Sequence, residues 1–264
     1  MSDLSERQRR ELKFYEEFSQ LNTSPVVSFA SVKGEQARPG NSYWHVMSVV
    51  KQHFHSEDQK LLDFGCGKGD SSLIFSRIGY EVFGFDISPN NIAIAERLSE
   101  KYGMTDRTHF KVGVAEKLDY ESDFFDAVVG TDILHHVEIS QALSECSRVL
   151  KKGGLAVFHE PIRVPVFDAL RETRFGNWLV PKQVSVERHI TEDERKLTVD
   201  DLEMIRSIGG SCTLERFLLL SRLDRFIKRA KGKPPFFEAV DLNLLTRVPF
   251  LKSFAGIVVI VMRK

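Results

Sequence analysis

Cysteine, net charge and long apolar runs are all scarce in this chain, and each shortage removes a class of protein. Three cysteines, Cys66, Cys146 and Cys212, are scattered over 264 residues in no metal-like spacing, which fits a reducing compartment better than a disulfide framework. Basic and acidic residues balance at 37 each, so a broad nucleic-acid-binding face is not expected. The longest apolar run, "FAGIVVIVM" at 254–262, is too short to cross a bilayer as a helix. Its β-branched residues read instead as a buried strand. The N-terminal "MSDLSERQRRELKFYEEF" is charged throughout and lacks the apolar centre of a signal peptide, which makes the cytoplasm the expected location. Internal repeats and low-complexity segments are absent as well. The length suits one domain with elaborations, as a monomer or homodimer.

What the sequence does have, between residues 60 and 160, is a strand–helix alternation. "KLLDF" reads as a strand, 70–78 as a helix, "YEVFGFD" as a second strand, and 88–103 as a helix with Ser88 as N-cap, Pro89 at the first position and Gly103 as the stop. "THFKVG" and "FFDAVVG" are further strands. Ile139, Ala142, Leu143, Cys146, Val149 and Leu150 recur at helical spacing, "KKGG" ends that helix, and "LAVFHE" is a fifth strand. Such alternation predicts a mostly parallel sheet covered on both faces. The rhythm breaks after Pro161. Residues 161–197 read as an inserted cap, "TVDDLEMIRSIGG" as a helix, "SCTLERFLLL" as a sixth strand, and 220–252 as a second insertion before the last strand. The basic run "KRAKGKPP" at 228–235 reads as a solvated turn.

The stretch "LLDFGCGKGDSS" at 61–72 carries the functional signal. Glycine at alternate positions opens backbone angles closed to other residues and lets a ligand lie on the main chain, while the following helix offers free N–H groups. A dinucleotide fingerprint places a third glycine where this chain has Asp70, so a nicotinamide oxidoreductase is disfavoured. The pattern Asp63-x-Gly65-Cys66-Gly67-x-Gly69 instead resembles the first motif of class I S-adenosylmethionine-dependent methyltransferases. Asp86 ends the second strand at nearly the separation expected of an acid that holds ribose hydroxyls. "GVAEKLDYESDFFDAVVGTDILHHV" and "LKKGGLAVFHEP" resemble later segments of the same family. The resemblance covers 60–160 well and the last strand in outline.

That resemblance implies a Rossmann-like α/β three-layer sandwich with a mostly parallel seven-stranded sheet and an antiparallel last strand. It implies one methyltransferase domain over 1–264, divided into an N-terminal helical cap (1–58), a cofactor-binding core (59–160) and substrate-cap insertions (161–197 and 220–252). The implied cofactor is S-adenosyl-L-methionine, held by Asp63, Gly65, Cys66, Gly67, Gly69, Asp86, Ile87 beside the adenine, Ala115, Glu116 and Thr131. Many relatives have an acid where this chain has Val114, so the adenine amine is left to Glu116 or the backbone at Ala115. Cys66 fills a position that needs a small residue.

For the chemistry, His136 and His135 stand at the expected carboxyl edge of strand four as general base or as structural hydrogen-bonders, and at the end of strand five, beside His159, Glu160 either orients a substrate hydroxyl or caps the next turn. Adjacent histidines are poor metal spacing, so no metal is expected. Tyr43 and Trp44 either close over the cofactor or pack into the core. Phe167, Leu170, Phe175, Trp178 and Leu179 in the cap, with Phe236, Phe237, Leu242, Leu244, Leu245 and Phe250 in the later insertion, either enclose an apolar or aromatic small molecule or fill a second core. The expected partner is a small-molecule acceptor. A non-catalytic interaction module and a methyltransferase acting on a protein or lipid are the alternatives.

Overall fold

The first strand, β1 (Lys60–Phe64), is short and buried on both faces because it runs down the middle of the sheet. The computed structural model describes residues 4–21, 27–29, 38–165, 195–208, 210–226 and 235–264. Most of the expected 161–197 cap, including Phe167, Leu170, Phe175, Trp178 and Leu179, lies outside the described residues, as does the basic run apart from Pro235. To β1 are added β2 (Glu81–Asp86), β3 (Thr108–Val112), β4 (Phe125–Thr131), β5 (Leu150–Pro161), β6 (Ser211–Phe217) and β7 (Ile257–Arg263). Their order across the sheet is β3-β2-β1-β4-β5-β7-β6, and β7 runs antiparallel to both neighbours. The expected seven-stranded, mostly parallel sheet with an antiparallel last strand is therefore the observed one.

Period-2 alternation divides the core. Leu62, Phe64, Val128, Phe158 and Ile260 share one apolar layer, and Leu61, Val82, Val129, Val157 and Val259 share the other. The described helices are α1 (Glu6–Leu21), α2 (Ser42–His53), α3 (Asp70–Ile78), α4 (Pro89–Tyr102), α5 (Ile139–Val149), α6 (Val199–Ile208) and α7 (Phe236–Arg247), and α2 to α6 pack on these faces. Ser88 caps α4 by accepting the Asn91 N–H, Pro89 occupies the first turn, and Gly103 closes the helix in the left-handed region, all as the sequence predicts.

Two boundaries differ from expectation. Helix α5 stops at Val149, and Leu150 already belongs to β5, where it pairs with Phe125 across an irregularity in the β4 ladder. Gly153 donates to the Lys264 carbonyl at 2.8 Å, so sheet bonds claim residues whose local composition reads as a helix stop. β6 ends at Phe217 rather than running through Leu220, because the Asp241 carboxylate accepts the N–H groups of Leu219, Leu220 and Ser221 at 2.7–2.9 Å and turns the chain.

The sheet order reverses between β1 and β4. In open α/β sheets ligands gather at the carboxyl edge beside such a reversal, which here is where the glycine-rich loop leaves β1.

Candidate active site

Between β1 and α3 the chain turns through Gly65, Gly67 and Gly69, all at positive φ (75°, 51° and 84°). A side chain at Gly67 would meet nothing within 4 Å, because this residue faces a cavity of about 210 Å³. The Gly67 N–H donates to Asp86 Oδ2 at 3.1 Å, and Asp86 Oδ1 accepts from the Ser88 N–H (2.9 Å) and Asn91 Nδ2 (3.1 Å). Burial holds the Asp86 carboxyl above its usual range, against the pull of these three donors. A carboxylate has about four acceptor sites, so three donors leave room for a ligand hydroxyl.

The structure brings Gly65, Gly67, Asp86 and Ile87 to this cavity, together with Ala115, Glu116, Thr131 and His136. The remaining expected site residues do not line it. Asp63 lies behind the loop, where Ser72 Oγ donates to its Oδ2 at 2.5 Å and ties β1 to α3, and burial pushes its carboxyl up to about 7. Cys66 turns inward against Gly84, and burial lifts its thiol well above the ordinary range. Gly69 packs on Ala95 of α4. Glu160 is fully buried and accepts the N–H groups of Ile133 (2.9 Å) and Leu134 (2.7 Å), while His135 Nδ1 lies 2.6 Å from its second oxygen. His135 and Glu160 thus hold the shape of the turn after β4.

His136 stands at the cavity wall between two residues of α1. Tyr15 Oη lies 3.1 Å from its Nε2, and Glu11 Oε2 lies 3.2 Å from its Nδ1. Gln8, one turn before Glu11, donates to Glu116 Oε2 at 2.9 Å. Further along, Glu16 accepts from Ser88 Oγ at 2.6 Å and from both nitrogens of Asn90, which fastens α1 across the start of α4. Sequence reasoning missed these α1 residues and also Asp132. The signal available was the spacing Gln8, Glu11, Tyr15, which is one helix face, but nothing in the sequence says what that face covers.

Asp132 follows β4 with φ of 53°. Its Oδ1 lies 3.2 Å from His159 Nδ1 and its Oδ2 accepts the Tyr43 hydroxyl at 2.9 Å. Burial raises its carboxyl, but these bonds outweigh that and hold it below the usual range. Tyr43 is half-exposed and stacks on His159 at a ring separation of 4.1 Å, so it belongs to this edge rather than to the core. Among the described residues, no group of three or more His, Cys, Asp or Glu side chains is placed to hold a metal ion, and no helix is long and apolar enough to cross a membrane.

A sheet of this order with a glycine loop and an acid at the reversal defines a class, and known proteins agree with it. Residues 62–158 match the methyltransferase domain family, and over this core the chain is similar to class I S-adenosylmethionine-dependent methyltransferases. A demethylmenaquinone methyltransferase of Chlorobaculum parvum is 34% identical over 149 residues, covering 54% of this chain and 59% of that protein. A ubiquinone biosynthesis O-methyltransferase of Cereibacter sphaeroides is 37% identical over 102 residues, covering 38% and 40%. The chain thus spans roughly half the length of these curated relatives. The crystal structure of geranyl diphosphate C-methyltransferase from Streptomyces coelicolor A3(2) shares the fold across 98% of both chains, with a TM-score of 0.61 at 14% identity.

Proposed function

We propose that this chain transfers a methyl group from S-adenosylmethionine to a small-molecule acceptor. The cradle carries the reading. Gly67 presents bare backbone to the cavity, and the Asp86 carboxylate beside it is braced by three donors with acceptor capacity to spare. That donor set fits a ribose and an amino-acid chain, neither of which needs a pyrophosphate loop. Gly65, Gly67 and Asp86 would bind the cofactor directly, with Ile87, Ala115, Glu116 and Thr131 around the adenine and the loop edge. Asp63, Cys66 and Gly69 support them from behind.

When bound, the cofactor supplies an electrophilic methyl group on a sulfonium. The protein's part is alignment, which is worth several kcal/mol of barrier. Helix α1 covers the cavity and excludes water through Gln8, Glu11 and Tyr15, and His136 stands ready to hold a proton between Tyr15 and Glu11. The 1–58 segment then acts as cover, 59–160 as cofactor core, and 161–197 with 220–252 as the enclosure of an apolar or aromatic acceptor.

Calorimetry with S-adenosylhomocysteine, with NADH in parallel and Asp86→Ala as control, tests the reading. We expect saturable binding of the first only, weakened roughly 100-fold in the variant through the lost charge-assisted hydrogen bonds. NADH binding, or an unchanged affinity in Asp86→Ala, would sink it.

A further inference from the structure

At the carboxyl edge of β4 and β5 four side chains join in a line, and one of them, Asp132, also lines the cofactor cavity. His159 Nε2 lies 2.9 Å from the Ser42 hydroxyl, its Nδ1 lies 3.2 Å from Asp132 Oδ1, and Asp132 Oδ2 accepts from Tyr43. The imidazole is 1% exposed, whereas the Asp132 side chain is 41% exposed and lines the cavity. Asp132 keeps a left-handed backbone, which is strained for a non-glycine residue. Its N–H also donates to the His159 carbonyl at 2.8 Å, so main chain and side chain lock the same pair. Burying an imidazole requires partners, but one backbone carbonyl would serve. A carboxylate on one nitrogen and a hydroxyl on the other is a more specific arrangement. The carboxylate fixes the proton on Nδ1 and leaves Nε2 to accept one from a hydroxyl.

We propose that Ser42, His159 and Asp132 form a proton relay that deprotonates a phenolic or enolic hydroxyl, so that the acceptor is such a compound and the transfer an O-methylation. This rests on the methyltransferase reading above. Ser42, half-buried at the first turn of α2, touches the acceptor, and His159 and Asp132 act through it as positioning residues. The acidity of the acceptor follows from the relay: a general base of the imidazole type is matched to a phenol far better than to an alkyl alcohol. The half-exposed ring of Tyr43, stacked on His159, offers an aromatic acceptor an apolar surface beside the relay. As the acceptor oxygen bonds to the methyl carbon, the C–S electron pair stays on sulfur. The acceptor proton passes to Ser42 Oγ while the Ser42 proton passes to His159 Nε2. The sulfonium charge is thereby replaced by an imidazolium charge, which Asp132 balances until the proton leaves to solvent.

The probe is 4-nitrocatechol, whose phenolate absorbs in the visible, added to protein saturated with S-adenosylhomocysteine about one pH unit below the probe's own ionisation. We expect the bound probe to be mostly phenolate in the wild type. The ionised fraction should fall to about one-tenth, that of the free probe, in His159→Gln, with S-adenosylhomocysteine affinity kept within about twofold. Because His159 is buried, Ser42→Ala serves as a second variant that leaves the imidazole–carboxylate pair in place, and it should shift the spectrum the same way. Equal ionisation in wild type and both variants overturns the relay, as does failure of the probe to bind the loaded protein. A protein that does not bind S-adenosylhomocysteine fails the functional reading first, and the relay falls with it.

Discussion

Residues that look alike in the glycine motif do different physical work. Gly67 and Gly69 both sit at positive φ, but a Cβ on Gly67 enters open cavity, while one on Gly69 comes within 2.8 Å of Ala95 Cβ on a packed helix. Gly67→Ala should therefore cost about 1–2 kcal/mol of stability, the left-handed strain alone, and lower S-adenosylhomocysteine affinity by filling ligand space. Gly69→Ala should cost more than that, because α3 and α4 must separate. Urea unfolding and calorimetry on the two variants check the contrast, and equal stability losses would contradict it. Asp63 is a second residue-scale case. Its buried carboxyl stays protonated up to about pH 7, whereas in the unfolded chain it ionises near 3.9. A raised folded value adds stability that is complete below the unfolded value and is lost as pH rises through the folded one. The wild type should accordingly lose stability relative to Asp63→Asn between about pH 4 and 7, by on the order of a few kcal/mol. A pH-independent difference between the two proteins would show that Asp63 folds ionised.

At the scale of elements, α1 is the piece whose purpose is least apparent from its composition. Its sequence is strongly polar, yet Glu11 is buried and Glu16 is engaged by Ser88 and Asn90 at the start of α4. Polar contacts, rather than an apolar stripe, hold it over the cavity. Glu16→Ala removes those bonds and should lower the melting temperature by about 2–6 °C, a loss of roughly 1–2 kcal/mol. It should also weaken S-adenosylhomocysteine binding about tenfold, because the cover no longer stays closed. Unchanged affinity in this variant would mean that α1 is not part of the binding unit. The turn after β4 is held in the opposite manner: buried Glu160 gathers two backbone N–H groups and the His135 ring, and so sets the positions of Ile133 and His136 at the cavity.

For the whole molecule, the cavity lies where sheet order reverses and is walled by segments from β1, β2, β4 and α1 that are up to 129 positions apart, from Gln8 to Val137. A ligand that spans these walls binds only the folded chain. At 100 times its dissociation constant it adds about 2.7 kcal/mol, so S-adenosylhomocysteine should raise the melting temperature by about 5–10 °C. NADH at the same concentration should not, and a scanning calorimeter decides between them.

Much of this was legible in the sequence. Apolar alternation placed the strands, Ser88, Pro89 and Gly103 marked α4, and the glycine spacing with Asp70 in the third-glycine position separated this cofactor class from dinucleotides. These features are local: a strand's period, a cap and a left-handed turn each act within a few residues of chain. Tertiary structure decided the rest. It gave Leu150 to β5 rather than α5, buried Asp63 and Glu160 as braces, and brought Glu11 and Tyr15 to His136 and Ser42 to His159. Those pairings join residues from 9 to more than 100 positions apart. Neither partner's local pattern encodes the other, and only the packing of helices against the sheet brings them together.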